Sequence, residues 1–193
     1  MRIGVLASQG AFAEHIAVLR RLGIEAPPVR LPRELDGLDG LIIPGGESTT
    51  ITRLMRDYRL IDEITKLARN GFPVFGTCAG MVLLASELSG GNGVEPLRVM
   101  QIKVRRNAFG RQRESFETEL SIPALGDEPF PGVFIRAPAI EESTGEVEIL
   151  ARLDDGTAVA ARQEKLLASA FHPELTDDPR FHQYFLDIVA GRR

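Results

Sequence analysis

The chain contains one cysteine, Cys78, set in Gly76-Thr77-Cys78-Ala79-Gly80. This is the G-x-nucleophile-x-G form of a nucleophile elbow, with a thiol in place of the usual hydroxyl. The chemistry it offers is acyl transfer through a thioester. Glycines are needed on both sides because a tight strand-to-helix turn crowds the backbone. The spacing predicts an apolar strand at 73–76 and an apolar helix at 79–87, which places the thiol at a helix N-terminus, where unpaired N–H groups and the helix dipole favour thiolate. The backbone N–H of Ala79 would then face the point where an oxyanion forms. A lone cysteine is otherwise inert core filler, and the paired glycines are what argue against that here.

A thiol acting on an amide needs a base that can later protonate the leaving nitrogen, and histidine serves both purposes. Of the three histidines, His15 and His182 fall within helical patterns and are expected to be exposed. His172 differs, since it follows an apolar run at 166–171 and precedes Pro173-Glu174. Proline biases the preceding residue toward extended geometry, in which residues two apart face the same way. Glu174 can then hold one imidazole nitrogen and leave the other for Cys78, the logic of a base with its orienter. His-Pro-Glu by itself also reads as a polar turn leaving a strand. A third segment, Pro44-Gly45-Gly46-Glu47-Ser48-Thr49-Thr50, comes after another apolar run. Its adjacent glycines would let a backbone N–H turn toward an oxyanion, or let a ligand approach closely. A β-turn followed by a helix cap explains the same residues. The lysine of a phosphate-binding loop is absent.

The elements that must position these residues are strand-length apolar runs alternating with helical patterns: strands at 2–7, 25–30, 39–43 and 73–76, and helices at 11–22, 48–54, 60–68 and 79–87. Such alternation implies parallel βαβ units with helices on both faces. Beyond Ser89-Gly90-Gly91-Asn92-Gly93 the pattern becomes mostly β, at 98–105, 115–122, 133–136, 147–153, 157–162 and 166–171, before a last helix at 179–189. The expected fold is α/β: one domain over 1–193, with a mostly parallel central sheet, flanking helices and extra antiparallel strands. A length of 193 residues suits one such domain. A net charge of −4, without a basic stripe, argues against nucleic acid as a partner. No run approaches the ~20 apolar residues of a membrane span. The short N-terminal apolar run ends at Ser8-Gln9, too early for a secretory signal, and a cytoplasmic location is expected.

Together, G-T-C-A-G, P-G-G-E-S-T and F-H-P-E-L resemble the class I triad glutamine amidotransferases of flavodoxin-like fold. Further runs narrow the resemblance to the glutaminase subunits of pyridoxal 5′-phosphate synthases: Gln9-Gly10-Ala11, Glu14-His15, R-N-A-F-G-R-Q at 106–112, Ser115-Phe116-Glu117 and G-V-F-I-R-A-P at 132–138. The resemblance implies that Cys78 is the nucleophile, His172 the base and Glu174 its orienter. It implies an oxyanion hole at Gly46 and Ala79, and glutamine contacts at Gly46, Glu47, Ser48, Arg106, Ile135 and Arg136. It further implies that ammonia passes to a separate (β/α)8 synthase subunit, that the free subunit is weakly active, and that Gln9 lies near that interface and helps shape the oxyanion site. Neither a metal nor a cofactor is expected. By residue type alone, Arg106 and Arg136 read equally well as salt-bridge partners or solvated strand ends. Two other readings stay open: a glutaminase serving a different synthase, which the two arginine-bearing runs oppose, and a noncatalytic cysteine-based redox sensor or chaperone of flavodoxin-like fold, which has no need of His-Pro-Glu.

Overall fold

A computed structural model of the chain describes residues 1–90, 93–110 and 114–193. Arg111 and Gln112 of the arginine-bearing run, and Gly91 and Asn92 of the glycine-rich turn, lie outside the described residues. Strands β1 (Ile3–Leu6), β3 (Gly40–Ile43), β4 (Val74–Thr77) and β12 (Leu166–Ser169) are buried along their whole length. Continuous burial is what a parallel strand covered on both faces requires, and explains why these segments read as unbroken apolar runs. Between them come β2 (Pro28–Val29) and the helices α1 (Phe12–Arg21), α2 (Ser48–Asp57) and α3 (Leu60–Arg69). After β4 the chain forms α4 (Ala79–Leu84), β5 (Ala85–Ser89), β6 (Met100–Arg105), β7 (Ser115–Leu120), β8 (Phe130–Ile135), β9 (Ala139–Ser143), β10 (Glu148–Arg152) and β11 (Ala158–Gln163). Helix α5 (Arg180–Val189) comes after β12.

Among the described residues the main sheet has ten strands in the order β2-β1-β3-β4-β12-β11-β9-β6-β5, with β10 paired to β11. From β2 to β12 all neighbours are parallel, and antiparallel pairing begins at β11. Strands β7 and β8 form a separate antiparallel pair. The alternation of the first half therefore gives the expected parallel sheet, in one α/β domain. Among the described residues no helix is long and apolar enough to cross a membrane.

Two local expectations change, and one strand forms where none was expected. The predicted strand at 25–30 shrinks to Pro28–Val29 plus an isolated Arg2–Glu25 bridge, because Pro27 and Pro28 carry no N–H to donate to a ladder. The predicted helix at 79–87 stops at Leu84: Ala85 is extended (φ −56°, ψ 147°), and β5 pairs with β6 while Ser86 Oγ donates to the Ile102 carbonyl at 3.0 Å. Strand β9, with Glu141 and Glu142 in its exposed half, has no apolar alternation to reveal it; its pairing with β6 and β11 creates it.

Strand β12 lies parallel against β4 with Ser169 opposite Thr77, so both chains emerge at the same sheet edge. On the other side of β4, Ile43 of β3 sits opposite Gly76. The elbow, the His172 segment and the Pro44 loop are thus neighbours by topology, at the carboxyl ends of parallel strands where open α/β sheets bind ligands.

Candidate active site

Cys78 occupies the turn between β4 and α4 with φ 51° and ψ −103°. This is a left-handed conformation that a non-glycine residue holds at a cost of about 1–3 kcal/mol and that concentrates at functional sites. The flanking glycines are needed for space. A Cβ on Gly76 would fall 2.5 Å from the Gly80 backbone, and one on Gly80 only 2.1 Å from the Ile43 carbonyl oxygen. Both obstacles are backbone and cannot swing aside. Gly80→Ala is therefore expected to lower stability by on the order of 3 kcal/mol, a fall of roughly 6–12 °C in Tm, measurable by thermal or urea unfolding. An unchanged Tm would show that the elbow can relax.

His172 leaves β12 within reach of the thiol. Both line a cleft of about 200 Å³. A Cβ on Gly45 would fall 2.4 Å from His172 Cε1 and 3.2 Å from Cys78 Cβ, so the Pro44 loop packs against both side chains. His172 Nδ1 is 2.7 Å from Glu174 Oε1. The expected route to this pairing is corrected: residues Pro173–Leu175 form a 3-10 turn rather than an extended segment, and the turn folds the carboxylate back onto the ring. Burial alone would lower the pKa of His172. Hydrogen bonding to Cys78 and Glu174, with their charges, outweighs it and raises the pKa to about 10. Burial likewise opposes charge on Glu174, yet His15 and the His172 hydrogen bond hold its pKa below the ordinary carboxylate value.

The remaining predicted positions, Gly46, Glu47, Ser48, Ala79, Arg106, Ile135 and Arg136, all border the same cleft. Glu47 caps α2, accepting from Thr49 N, and its Oε1 also pairs with Arg106 Nη2 at 3.3 Å. The Ile135 carbonyl lies 3.9 Å from Cys78 Sγ. Arg136 is exposed at the rim with φ 41°. Gln9 accepts the Glu47 N–H at 2.8 Å, and Ala11 N–H bonds the Gly45 carbonyl at 3.1 Å, so the loop after β1 clamps the Pro44 loop. Val82, Asn107 and Pro138 also line the cleft without having been singled out. Val82 was signalled by its place one helical turn after Cys78, and the other two by lying inside the arginine-bearing runs.

His15 and His182 correct their expected exposure: both are fully buried. His15 shares the inward stripe of α1 with Val18 and Leu19, at spacings of three and four residues. Its Nδ1 is 2.9 Å from His182 Nε2, and its Nε2 is 3.1 Å from Thr77 Oγ1 and 3.4 Å from Glu174 Oε2. Burial lowers the pKa of both, with that of His182 falling to about 3.

A buried thiol in a strained elbow, beside an imidazole braced by a carboxylate, can perform acyl transfer on an amide. The sequence profile of the SNO glutamine amidotransferase family matches residues 5–190. The chain belongs to this family. It is 59% identical over 190 residues to pyridoxal 5′-phosphate synthase subunit PdxT of Dehalococcoides mccartyi, covering 98% of this chain and 97% of that one. It is 56% identical to the protein of the same name from Pelotomaculum thermopropionicum, covering 100% and 98%. A crystal structure of a glutamine amidotransferase superposes with a TM-score of 0.92 at 52% identity, over 97% of this chain and 98% of that one. A putative GMP synthase subunit from Thermoplasma acidophilum shares the fold with a TM-score of 0.72 at 21% identity, over 100% of this chain and 96% of that one.

Proposed function

We propose that residues 1–193 form one cytoplasmic glutamine amidotransferase domain that hydrolyses L-glutamine to L-glutamate and ammonia. The ammonia goes to a (β/α)8 synthase subunit that makes pyridoxal 5′-phosphate. The observation that carries the reading is the Cys78 elbow beside His172 at one cleft, with Glu174 2.7 Å behind the ring, in a chain matched end to end by relatives named as pyridoxal 5′-phosphate synthase subunits.

The sulfur of Cys78, its proton passed to His172, attacks the side-chain amide carbon of glutamine. A C–S bond forms and the amide oxygen takes the negative charge, held by the N–H groups of Gly46 and Ala79. Collapse breaks the C–N bond as His172 gives its proton to the nitrogen, which leaves as ammonia. Glu174 keeps the ring oriented and stabilises its charge. Water, deprotonated by the now neutral His172, attacks the thioester; glutamate departs, and sulfur and ring return to their starting states. At the other end of the substrate, the guanidinium groups of Arg106 and Arg136 suit the α-carboxylate, and Glu47 suits the α-amino group. Ser48 and the Ile135 backbone complete the subsite.

The reading is tested by ammonia release from glutamine, with and without the purified synthase subunit. Glutamine-dependent release that rises when the synthase subunit is added is expected. Absence of release under both conditions would overturn it, and stimulation by a different synthase instead would redirect the pathway. Within the substrate subsite, Arg106→Ala removes a charge-assisted contact worth about 1.5–3 kcal/mol. KM for glutamine is accordingly expected to rise roughly 10- to 100-fold with a much smaller change in kcat, and an unchanged KM would take Arg106 out of the binding site.

A further inference from the structure

Acyl transfer at Cys78 uses one histidine, yet three converge behind the thiol. Glu174 divides its two oxygens between two of them. Oε1 holds His172, whereas Oε2 is buried, has no hydrogen bond among the described residues, and lies 3.4 Å from His15 Nε2. His182 Nδ1 is equally buried and without a partner among the described residues. The rings of His15 and His182 both sit edge-on to Phe75, in surroundings that keep them neutral, so each carries a single proton.

The positions of those two protons are set by satisfaction of the donors. An orphaned buried N–H is rarer in folded proteins than an under-used acceptor. His182 Nδ1 is therefore the bare nitrogen, and its proton sits on Nε2, donated to His15 Nδ1 across 2.9 Å. The proton of His15 must then be on Nε2, facing Glu174 Oε2 and, at 3.1 Å, Thr77 Oγ1. The opposite tautomer would aim a nitrogen lone pair at a carboxylate oxygen.

We infer that His15 is a positioning residue: its Nε2–H, hydrogen-bonded to Thr77 Oγ1 and 3.4 Å from Glu174 Oε2, draws the carboxylate electrostatically into the orientation that aligns His172 with Cys78, and His182 fixes the tautomer that makes this possible. This rests on Cys78, His172 and Glu174 acting as the triad proposed for glutamine hydrolysis. Thr77 extends the same anchorage to the oxyanion loop, because its hydroxyl oxygen also accepts the Gly45 N–H at 3.0 Å.

Two substitutions separate positioning from packing. The amide of asparagine reaches the place of ring Nδ1 and keeps the His182 contact while abandoning Glu174. The amide of glutamine reaches the place of Nε2 and keeps a donor toward Glu174. His15→Asn is expected to lower kcat roughly tenfold or more, the usual scale for a lost outer-shell orienter, with KM within about twofold. His15→Gln restores kcat to within about threefold of the unsubstituted protein. His182→Phe retains a ring against Phe75 but frees the His15 tautomer, and kcat falls in the same sense without a change in KM. Equal kcat losses in the Asn and Gln variants, or unchanged kcat in His15→Asn or His182→Phe, would overturn the inference. Cys78→Ala belongs in the same series. Activity retained there would sink the triad itself, whereas its loss beside a fully active His15→Asn would sink the positioning role alone.

Discussion

Replacing Cys78 by alanine is expected to lower glutamine-dependent ammonia release by about 10⁴-fold or more while leaving the protein folded and able to bind glutamine. The size reflects what the proposed mechanism would lose: without a nucleophile, neither His172 nor the oxyanion groups would have an acyl intermediate to act on, and loss of one member of such a unit costs nearly as much as loss of all. The fold should tolerate the change. The side chain lost is small, and the residue's left-handed backbone (φ 51°) is set by the close packing of Gly76 and Gly80 rather than by sulfur. The measurements are kcat by coupled ammonia assay and glutamine affinity by calorimetry on the same preparation. Retention of more than a few per cent of kcat would exclude the thiol from the reaction. A serine at the same place should be almost as inactive, since Glu174 and His172 are arranged about a group that ionises far more readily than a hydroxyl.

The second large effect concerns acid. In the unfolded chain His182 takes up a proton near pH 6.5, but in the fold it does so only at about pH 3. Across that window the unfolded state holds one proton more, and stability falls as pH falls, by about 1.4 kcal/mol per pH unit. His15, lowered by burial as well, acts in the same direction. Glu174, whose carboxyl is held below its ordinary value of 4.5, adds a loss only as pH drops below that value. His172 runs the other way. Its pKa is raised to about 10, so its contribution is complete below pH 6.5 and drains away as pH climbs toward 10. Stability should therefore peak near neutrality. Urea unfolding is expected to show a loss of roughly 2–4 kcal/mol between pH 6.5 and pH 5, and in His182→Phe that slope should be shallower by about one proton. A midpoint independent of pH over this interval would mean that the two rings are not buried neutral.

The parallel half of the fold was readable because its strands are covered on both faces and so appear as unbroken apolar runs between helical patterns. The elbow was readable for a related reason: only glycine fits where Gly80 meets the Ile43 carbonyl. Burial of His15 and His182 could not be read in the same way. A polar residue in a helix looks solvent-facing when its neighbours are considered alone, and what permits burial is a partner 167 positions away. The apolar residues Phe12, Ile16 and Leu19 also suggested a face on α1 slightly rotated from the one that packs, which carries His15, Val18 and Leu19. In the β-rich half, β5 and β9 owe their existence to pairing with β6, and sequence periodicity does not record a partner strand. Residue type left Arg106 open between a substrate contact and a salt-bridge partner or solvated strand end; it borders the cleft and pairs with Glu47, and its role toward substrate rests on the resemblance.

The insertion of β12 between β4 and β11 has a bearing on how the protein comes into being. The thiol is made early in synthesis and the ring proposed to activate it late, just after the last strand of the chain. A ribosome-bound chain that has completed β4 therefore carries an elbow without a base, and thioester chemistry must wait until that strand threads into its slot. Competence is in this sense a certificate of completion: a chain cut short anywhere before residue 172 would leave a quiet thiol rather than a half-working hydrolase.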